Sequence, residues 1–469
     1  MRHTLTMTEE QHQRLRRLLI KDDGNERAAL LVCGRARQRD PWTGEIEERF
    51  VGREVIAVAD SHILKTSPRS MTWASKPFYD ELKRAESRDF AVAFIHSHPL
   101  GPLGFSEADD VADRDLFAIA FNRNESRRPH LALVMTADGE LIGRAYGPRL
   151  EAIPLNMLRI IGSRLSLRFP GRGNGRSPAA FDRQILVFGP ACTEDMRAMR
   201  IGIVGCGGTG SAVAALLPGA GAGKVALFDD DTVDPTNLNR LRFSRQADAD
   251  AGALKVDVVG RGIAELGLGV QVRRFPRHIS DVCCHDALKS CDLIFGCTDD
   301  HLGRALLNRI AHFYLIPVID LGLLIEPNDE GSGYDTFDGR VTVVQPGYTC
   351  QICRGLIDPA RMEAEGLKRN NPVLYDQKRF AGYLPAEAGP NPVVGTFTGE
   401  VATMAVNELF HRLTGFREPY GSWSERIRRF DQAKEPDVHA AGLPREGCPL
   451  CQSRRYDGRG DMEPFLDQA

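Results

Sequence analysis

Residues 200–231 read RIGIVGCGGTGSAVAALLPGAGAGKVALFDDD, and this stretch decides the fold. RIGIVG is an apolar run that reads as a buried strand. GCGGTGS is a glycine turn, AVAALLPGAGA a helix that stops at glycine, and KVALFDDD a second strand. Further along, CDLIFGCTDD (291–300) and LIPVIDLG (315–322) are more apolar strands with helical stretches between them. Strands alternating with helices predict a parallel, doubly wound sheet, so the fold class is α/β. Glycines between a strand and a helix let the backbone approach phosphates, whose charge is favoured at the helix N-terminus. Taken alone, such a turn fits a dehydrogenase equally well.

The residues beyond the turn separate those readings. Asp229 ends the second strand, where an acid can bind ribose hydroxyls. The run Asp231-Thr232-Val233-Asp234-Pro235-Thr236-Asn237-Leu238-Asn239-Arg240 then places polar and cationic groups beside the site. Lys255 comes next, and Cys297-Thr298-Asp299-Asp300 closes a later strand. The glycine turn, Asp-x-Asp, Asn-Leu-Asn-Arg, the lysine and Thr-Asp occur in that order. Between about residues 181 and 452 the chain resembles the ThiF-like family of ubiquitin-activating and sulfur-carrier-activating adenylyltransferases. The resemblance implies that Gly205, Gly207, Gly208 and Gly210 cradle ATP and that Asp229, with Asp231 beside it, holds the ribose side. It implies that Asn237, Arg240 and Lys255 hold phosphates and that Asp299 binds Mg²⁺. Phe181-Asp182-Arg183-Gln184-Ile185 matches the family motif whose arginine reaches the partner subunit's ATP, so Arg183 implies a homodimer. The plainer reading of Arg183 is a surface salt bridge.

A second constellation lies nearer the N-terminus. A polar helix is expected from Thr8 to Lys21, an apolar strand over Ala28–Val32, another over Phe90–Ile95, and a helix over Glu107–Phe121. The second strand runs into Phe94-Ile95-His96-Ser97-His98-Pro99, with Ser106 and Asp109 downstream. Two histidines one residue apart can converge on one ion where the backbone bends. Three protein ligands plus water make a catalytic zinc, and His96, His98 and Asp109 supply three. Ser106-Glu107-Ala108-Asp109 by itself also reads as a helix N-cap. The whole spacing resembles the JAMM motif of the JAB/MPN metalloproteases, over about residues 20–145. That family hydrolyses the bond after the C-terminal glycine of ubiquitin-like proteins. The resemblance implies zinc on the three ligands, Ser106 at the oxyanion, and a general acid/base glutamate ahead of the first core strand. Glu26 fits that position best. Glu45 and Glu47, in the polar segment DPWTGEIEE, fit less well.

Cys350-Gln351-Ile352-Cys353 and Cys448-Pro449-Leu450-Cys451 form two Cys-x-x-Cys pairs. Four thiolates make a closed structural zinc site, and neither pair opens a thioredoxin-like unit. The ThiF-like family often carries zinc at these two places. The loop Ala381–Gly389 stands where many relatives keep a catalytic cysteine, yet it contains none. No conventional thioester is therefore expected there, and direct transfer or an oxyester would replace it. Cys283 and Cys284, in an expected helix, read as core residues.

The composition bounds the rest. The chain has 469 residues, 42% apolar and 26% charged, with Lys+Arg 60 against Asp+Glu 63. A net charge of -3 supplies no basic field for nucleic acid or anionic membrane. Eleven cysteines, an odd number, argue against a disulfide framework. MRHTLTMTEEQHQRLRRLL has no uninterrupted apolar core, so neither a secretory signal nor a spanning helix is expected, and a cytoplasmic location is. The expected organisation is a metalloprotease domain at 1–150, a Gly/Pro/Arg-rich linker at 151–180, an adenylyltransferase domain at 181–433, and a tail at 434–469 that closes the zinc site. The expected enzyme is bifunctional, acting on one C-terminal glycine by hydrolysis and by ATP-dependent adenylation. Its expected partners are a ubiquitin-like protein and a ubiquitin-conjugating-enzyme-like carrier. Such fusions resemble bacterial ubiquitin-like modification systems linked to phage defence. The rivals are sulfur-carrier activation and a non-catalytic scaffold that binds a ubiquitin-like protein.

Overall fold

The structure is a computed structural model that describes residues 1–123, 127–173, 177–328, 330, 332–385, 392–432, 438–439 and 442–462. Two large sheets organise them. The first has nine strands, in the order Leu165–Arg168, Met157–Ile161, Arg2–Thr8, Ile46–Ala57, Ala28–Arg39, Ala91–His98, His130–Thr136, Leu141–Tyr146, Ala152–Pro154. One face buries Leu5, Leu31 and Ile95 beneath the helix Glu9–Leu19. The other buries Phe78, Phe94 and Phe117, contributed in part by the helices Lys76–Glu86 and Glu107–Arg123. Both faces are covered, so Ala91–His98 is buried along its whole length and its sequence shows no alternation.

The second sheet carries the glycine turn. Its first five strands lie in the order Gln271–Phe275, Lys224–Phe228, Arg200–Val204, Leu293–Gly296, Val318–Pro327, all parallel. This is the doubly wound order, and ligands bind outside its strand C-termini where the order reverses. Tyr334–Val344 and Glu425–Arg429 extend the sheet antiparallel. The helix Gly395–Thr414 packs on the helix Gly208–Ala220 that comes after the turn.

The stretch expected as a linker at 151–180 is different in the structure. Met157–Ile161 pairs with Arg2–Thr8, and Leu165–Arg168 pairs with Met157–Ile161, so both belong to the first sheet. Arg164, Arg168 and Arg172 are paired and only partly exposed. Arg164 Nη1 bonds Glu418 at 2.7 Å, and Arg172 Nε bonds Asp195 at 2.8 Å. Glycine and arginine density concealed three short strands: these two, whose apolar residues Leu165 and Leu167 are buried, and the exposed Ala152–Pro154, which pairs with Leu141–Tyr146.

The two sheets meet at a buried ionic cluster. Glu47 and Arg49 come from the first sheet, as does Arg159. Arg200 opens a strand of the second, and Asp292 precedes another. Arg200 Nη1 bonds Glu47 Oε2 at 2.6 Å, and Arg200 N donates to Asp292 Oδ2 at 2.8 Å. Arg159 Nη2 lies 2.7 Å from Asp292 Oδ1, and Arg49 Nη1 donates to Cys291 O at 2.9 Å. Asp40 adds a third carboxylate, 3.1 Å from Arg200. Three guanidiniums therefore face three carboxylates.

The tail crosses the same seam. Asp461 N donates to Arg35 O at 2.6 Å, while Tyr314 OH donates to Asp461 Oδ1 at 3.0 Å. His312 Nδ1 lies 2.7 Å from Asp457, and Arg53 Nη1 donates to Asp457 O at 2.9 Å. A Cβ at Gly460 would sit 2.1 Å from Arg35 O, so the chain passes there only as glycine.

Breaking the seam should be costly, because removing one partner strands a buried charge. Arg200→Met is expected to lower unfolding free energy by about 3–5 kcal/mol in urea denaturation. An unchanged midpoint would refute the role assigned to this cluster.

Candidate functional sites

The first site is built by strand register. Ala28 pairs with His96, and Arg27 and Ser97 exchange hydrogen bonds: Ser97 N to Arg27 O at 3.0 Å, Arg27 N to Ser97 Oγ at 2.9 Å. Continuing that antiparallel register sets Glu26 level with His98. His96 and His98 share one face of their strand, two residues apart. Their Nε2 atoms lie 3.1 Å apart. Asp109, in the first turn of its helix, brings Oδ1 within 3.1 Å of His96 Nε2 and Oδ2 within 3.4 Å of His98 Nε2. Three donor atoms converging within 4.8 Å, two imidazoles and a carboxylate, are a donor set that suits zinc.

Glu26, Ser106 and Asp113 line the same pocket. Burial raises the Glu26 carboxyl above its ordinary range, against the pull of His96 and His98. Ser106 Oγ donates to Asp109 Oδ2 at 2.8 Å, and Ser106 N reaches the same oxygen at 2.6 Å. In this geometry Ser106 first orients the carboxylate, and an oxyanion contact needs its hydroxyl to rotate. Of the two less favoured glutamates, Glu45 is exposed and Glu47 sits in the ionic seam. Sequence reading missed Asp113, one helical turn beyond Asp109. It accepts Arg144 Nη2 at 2.6 Å and Nε at 3.1 Å. The i, i+4 spacing of the two aspartates was the available signal.

The second site lies at the C-terminal ends of the parallel strands. Gly205, Gly207, Gly208, Asp229, Asp231, Asn237, Arg240, Lys255 and Asp299 all line one pocket of about 460 Å³. Gly205 has φ +87°, and a Cβ there would strike Cys297 O at 2.6 Å. Gly210 lies outside the lining. A Cβ on it would sit 1.8 Å from Gly205 O, so its glycine serves close packing of helix on turn. Asp229 Oδ2 accepts Cys206 N at 2.6 Å, and burial raises this carboxyl. Lys255 Nζ bonds Asp231 Oδ2 at 2.7 Å. Burial opposes the charge on Lys255, but Asp229 and Asp231 outweigh it and raise the ammonium above its ordinary value. Asp299 is exposed in the pocket, whereas Asp300 caps the next helix and contacts Thr298 and His278.

Arg183 is exposed and lies outside this pocket in its own chain. Leu186 and Val187 beside it are 80% and 71% exposed. Sequence reading missed four further groups of the lining, Arg277, His278, Arg304 and Arg369. Of the loop at 381–389, residues 386–389 lie outside the described residues. Cys283 is exposed, while Cys284 is buried, on the helix Val282–Ser290.

The third cluster joins distant segments. Cys350 and Cys448 sulfurs lie 3.7 Å apart, and Cys451 and Cys353 3.6 Å. All four sulfurs fall within 4.8 Å of one another, which suits a tetrahedral thiolate zinc. Burial raises the Cys448 thiol, but the N–H groups of Cys451 and Leu450 overcome it and lower it to about 6.

A doubly wound nucleotide-type pocket and a separate His₂Asp site thus share one chain. The chain belongs to the ThiF family, whose model matches residues 181–450. Residues 8–143 match the model of prokaryotic homologs of the JAB domain, so the chain is a JAB–ThiF fusion. The sulfur carrier protein ThiS adenylyltransferase of Escherichia coli (strain K12) is 27% identical over 287 residues, 61% of this chain and 99% of that protein. The adenylyltransferase and sulfurtransferase UBA4 of Meyerozyma guilliermondii is 30% identical over 177 residues. That match covers 36% of this chain and only 39% of the relative. Among solved structures, E. coli MccB with ATP aligns at TM-score 0.43 and 18% identity, covering 60% of this chain and 76% of that one.

The thiolate cluster generates a direct expectation. Cys448→Ser should lower bound zinc by one equivalent per chain in native mass spectrometry. It should also open residues 445–462 to limited proteolysis. Unchanged zinc content would exclude the four-thiolate site.

Proposed function

We propose that the chain is a bifunctional enzyme acting on the C-terminal glycine of a ubiquitin-like protein, with one unit hydrolysing the bond after that glycine and the other adenylating its carboxylate. The observation that carries this reading is the coexistence of two complete donor sets. His96, His98 and Asp109 converge with Glu26 in one pocket, and Asp229, Asn237, Arg240, Lys255 and Asp299 line another at a glycine turn. A non-catalytic scaffold needs neither.

In the hydrolytic unit His96, His98 and Asp109 would hold zinc, which when bound acidifies water and polarises a carbonyl. Glu26 would take a proton from the attacking water and return it to the leaving amine. Its raised carboxyl suits that exchange, because a base works best when its pKa approaches the working pH. Asp113 and Arg144 would hold the helix that presents Asp109.

In the adenylating unit the substrate carboxylate would attack the α-phosphate of ATP, releasing pyrophosphate and leaving an acyl adenylate. Asp229 would bind ribose hydroxyls, and Asn237, Arg240 and Lys255 would spread the phosphate charge. Such chemistry rests on positioning and charge neutralisation more than on proton transfer. Asp299 would hold Mg²⁺, which when bound neutralises phosphate charge. Arg183, exposed beside Leu186 and Val187, would reach the partner subunit's nucleotide across a homodimer. With no cysteine in the 381–389 loop, the adenylate would pass directly to a carrier of the conjugating-enzyme type or to a hydroxyl. Sulfur-carrier activation is the second reading, favoured by the full-length match to the E. coli ThiS adenylyltransferase. It shares the adenylation step and differs in the acceptor.

Two measurements test the units separately. Glu26→Gln and His98→Ala should each cut release of a C-terminal fusion by about 10²-fold or more, the scale of a lost acid–base group. Persistent cleavage by either variant would refute the hydrolytic assignment. Asp299→Ala and Lys255→Ala should each abolish ATP–pyrophosphate exchange driven by Gly-terminated proteins encoded beside this gene. Exchange surviving both would refute the adenylation assignment. Arg183→Ala mixed with Lys255→Ala should regain part of that exchange if the arginine acts across a dimer.

A further inference from the structure

One wall of the nucleotide pocket carries a cation whose ion-pair partner among the described residues is shared with a second arginine. Arg304 lines the pocket together with Leu321, Gly322, Leu323 and Val393. It lies on the helix His301–Phe313, one turn after Asp300, and its side chain is 14% exposed. Its guanidinium makes no hydrogen bond among the described residues, and its Nε is buried without one. Its ion-pair partner is Asp320, 3.5 Å away and fully buried. Asp320 is itself shared, because its Oδ2 accepts Arg340 Nη2 at 2.9 Å from the neighbouring antiparallel strand.

The surrounding charges do not restore the balance. Glu425 and Arg354 flank Arg340, and they pair with each other. Among the described residues three guanidiniums, Arg304, Arg340 and Arg354, therefore face two carboxylates, Asp320 and Glu425. The carboxylate nearest Arg304 on its own helix is committed elsewhere, since Asp300 accepts from Thr298, His278 and Gly303 N. Asp299 faces Lys255. A buried cationic cluster with one charge in excess is unfavourable until an anion joins it. Of that cluster it is Arg304 that lines the pocket.

We propose that Arg304 is the seat for the carboxylate of the acyl substrate, held in place by Asp320 with Arg340 supplying the excess charge. A guanidinium presents paired N–H donors that match a carboxylate's two oxygens. Leu321, Gly322, Leu323 and Val393 give the same wall an apolar face suited to a small-residue peptide tail. Asn237, Arg240 and Lys255 already serve the phosphates in the adenylation reading, on which this inference rests. Arg340 lies outside the pocket lining and is a positioning residue.

The test uses the full-length protein loaded with α,β-methylene-ATP and a synthetic octapeptide ending in Gly-Gly. The peptide is supplied as free acid and as C-terminal amide, and binding is read by calorimetry. The expected result is at least tenfold tighter binding of the acid, and loss of that preference in Arg304→Met with affinity for the ATP analogue unchanged. Arg340→Gln, which removes one positive charge at a residue outside the pocket lining, should also shrink the preference several-fold. Equal binding of acid and amide by the unaltered protein would overturn the proposal. So would a preference that survives Arg304→Met. A variant that loses affinity for the ATP analogue instead would assign Arg304 to phosphate and likewise overturn it. Acid-selective binding without pyrophosphate exchange in the unaltered protein would leave the carboxylate seat standing and refute adenylation.

Discussion

The constraint on which both units depend is the buried pairing of Arg200 with Glu47 and Asp292. Arg200 starts the strand that ends in the glycine turn, so whatever fixes its first residue also fixes the turn at its far end. Asp292 immediately precedes the neighbouring strand that delivers Thr298 and Asp299. One carboxylate, accepting from Arg200 N and from Arg159, therefore aligns two strands whose other ends form the nucleotide pocket. Buried ion pairs rarely add net stability over apolar packing, but they resist misregistry, because any shift leaves a charge unpaired. Burial raises Asp292, yet Arg159, Arg200 and Arg49 outweigh it and hold the carboxylate well below its ordinary range. A depressed carboxyl stabilises above its unfolded pKa and loses that contribution as pH falls through the folded one. The seam is thus complete throughout the neutral range.

The same seam makes the two units one structure. Glu47 and Arg49 belong to the strand beside Ala28–Arg39, whose other neighbour is Ala91–His98 with its metal-type histidines. The tail adds a second tie, because Asp461 touches Arg35 and Arg37 on one side and Lys289 and Tyr314 on the other. The thiolate cluster at Cys448 and Cys451 anchors that tail just before it crosses. The four cysteines therefore do more than close a loose end of the second unit.

Much of this was legible in the sequence, for reasons that differ by region. The parallel strands announced themselves because burial on both faces forces continuous apolar runs, as in Leu293–Gly296. The donor sets were legible because metals and phosphates demand particular residue types at particular spacings, as in His96-Ser97-His98. The stretch at 151–180 misled because composition was weighed over pairing. Leu165–Arg168 is too short to alternate convincingly, and its arginines bind partners that are close only after folding. The strand Arg2–Thr8 was hidden for a related reason. Its alternation of Leu5 and Met7 with polar residues was left unassigned ahead of the helix expected from Thr8, and its polar residues His3, Thr4 and Thr6 are buried as well.

The site residues that escaped notice share a different property. Asp113, Arg304 and His278 stand outside the quoted motifs, and each has a partner distant in sequence: Arg144, Asp320 and Asp300. Arg304 is the clearest case. In sequence it is a cation in the first turns of an ordinary amphipathic helix, where a solvated surface role is the sound default. Its significance comes from Asp320, a buried acid inside an apolar strand, and from Arg340, which claims the other oxygen of that acid. A lone aspartate in VIDLG signals that a buried positive charge must exist, but not which one. Motifs report what a ligand demands of neighbouring residues, while charge balance reports what a fold demands of distant ones. The second kind of demand is written in the structure alone.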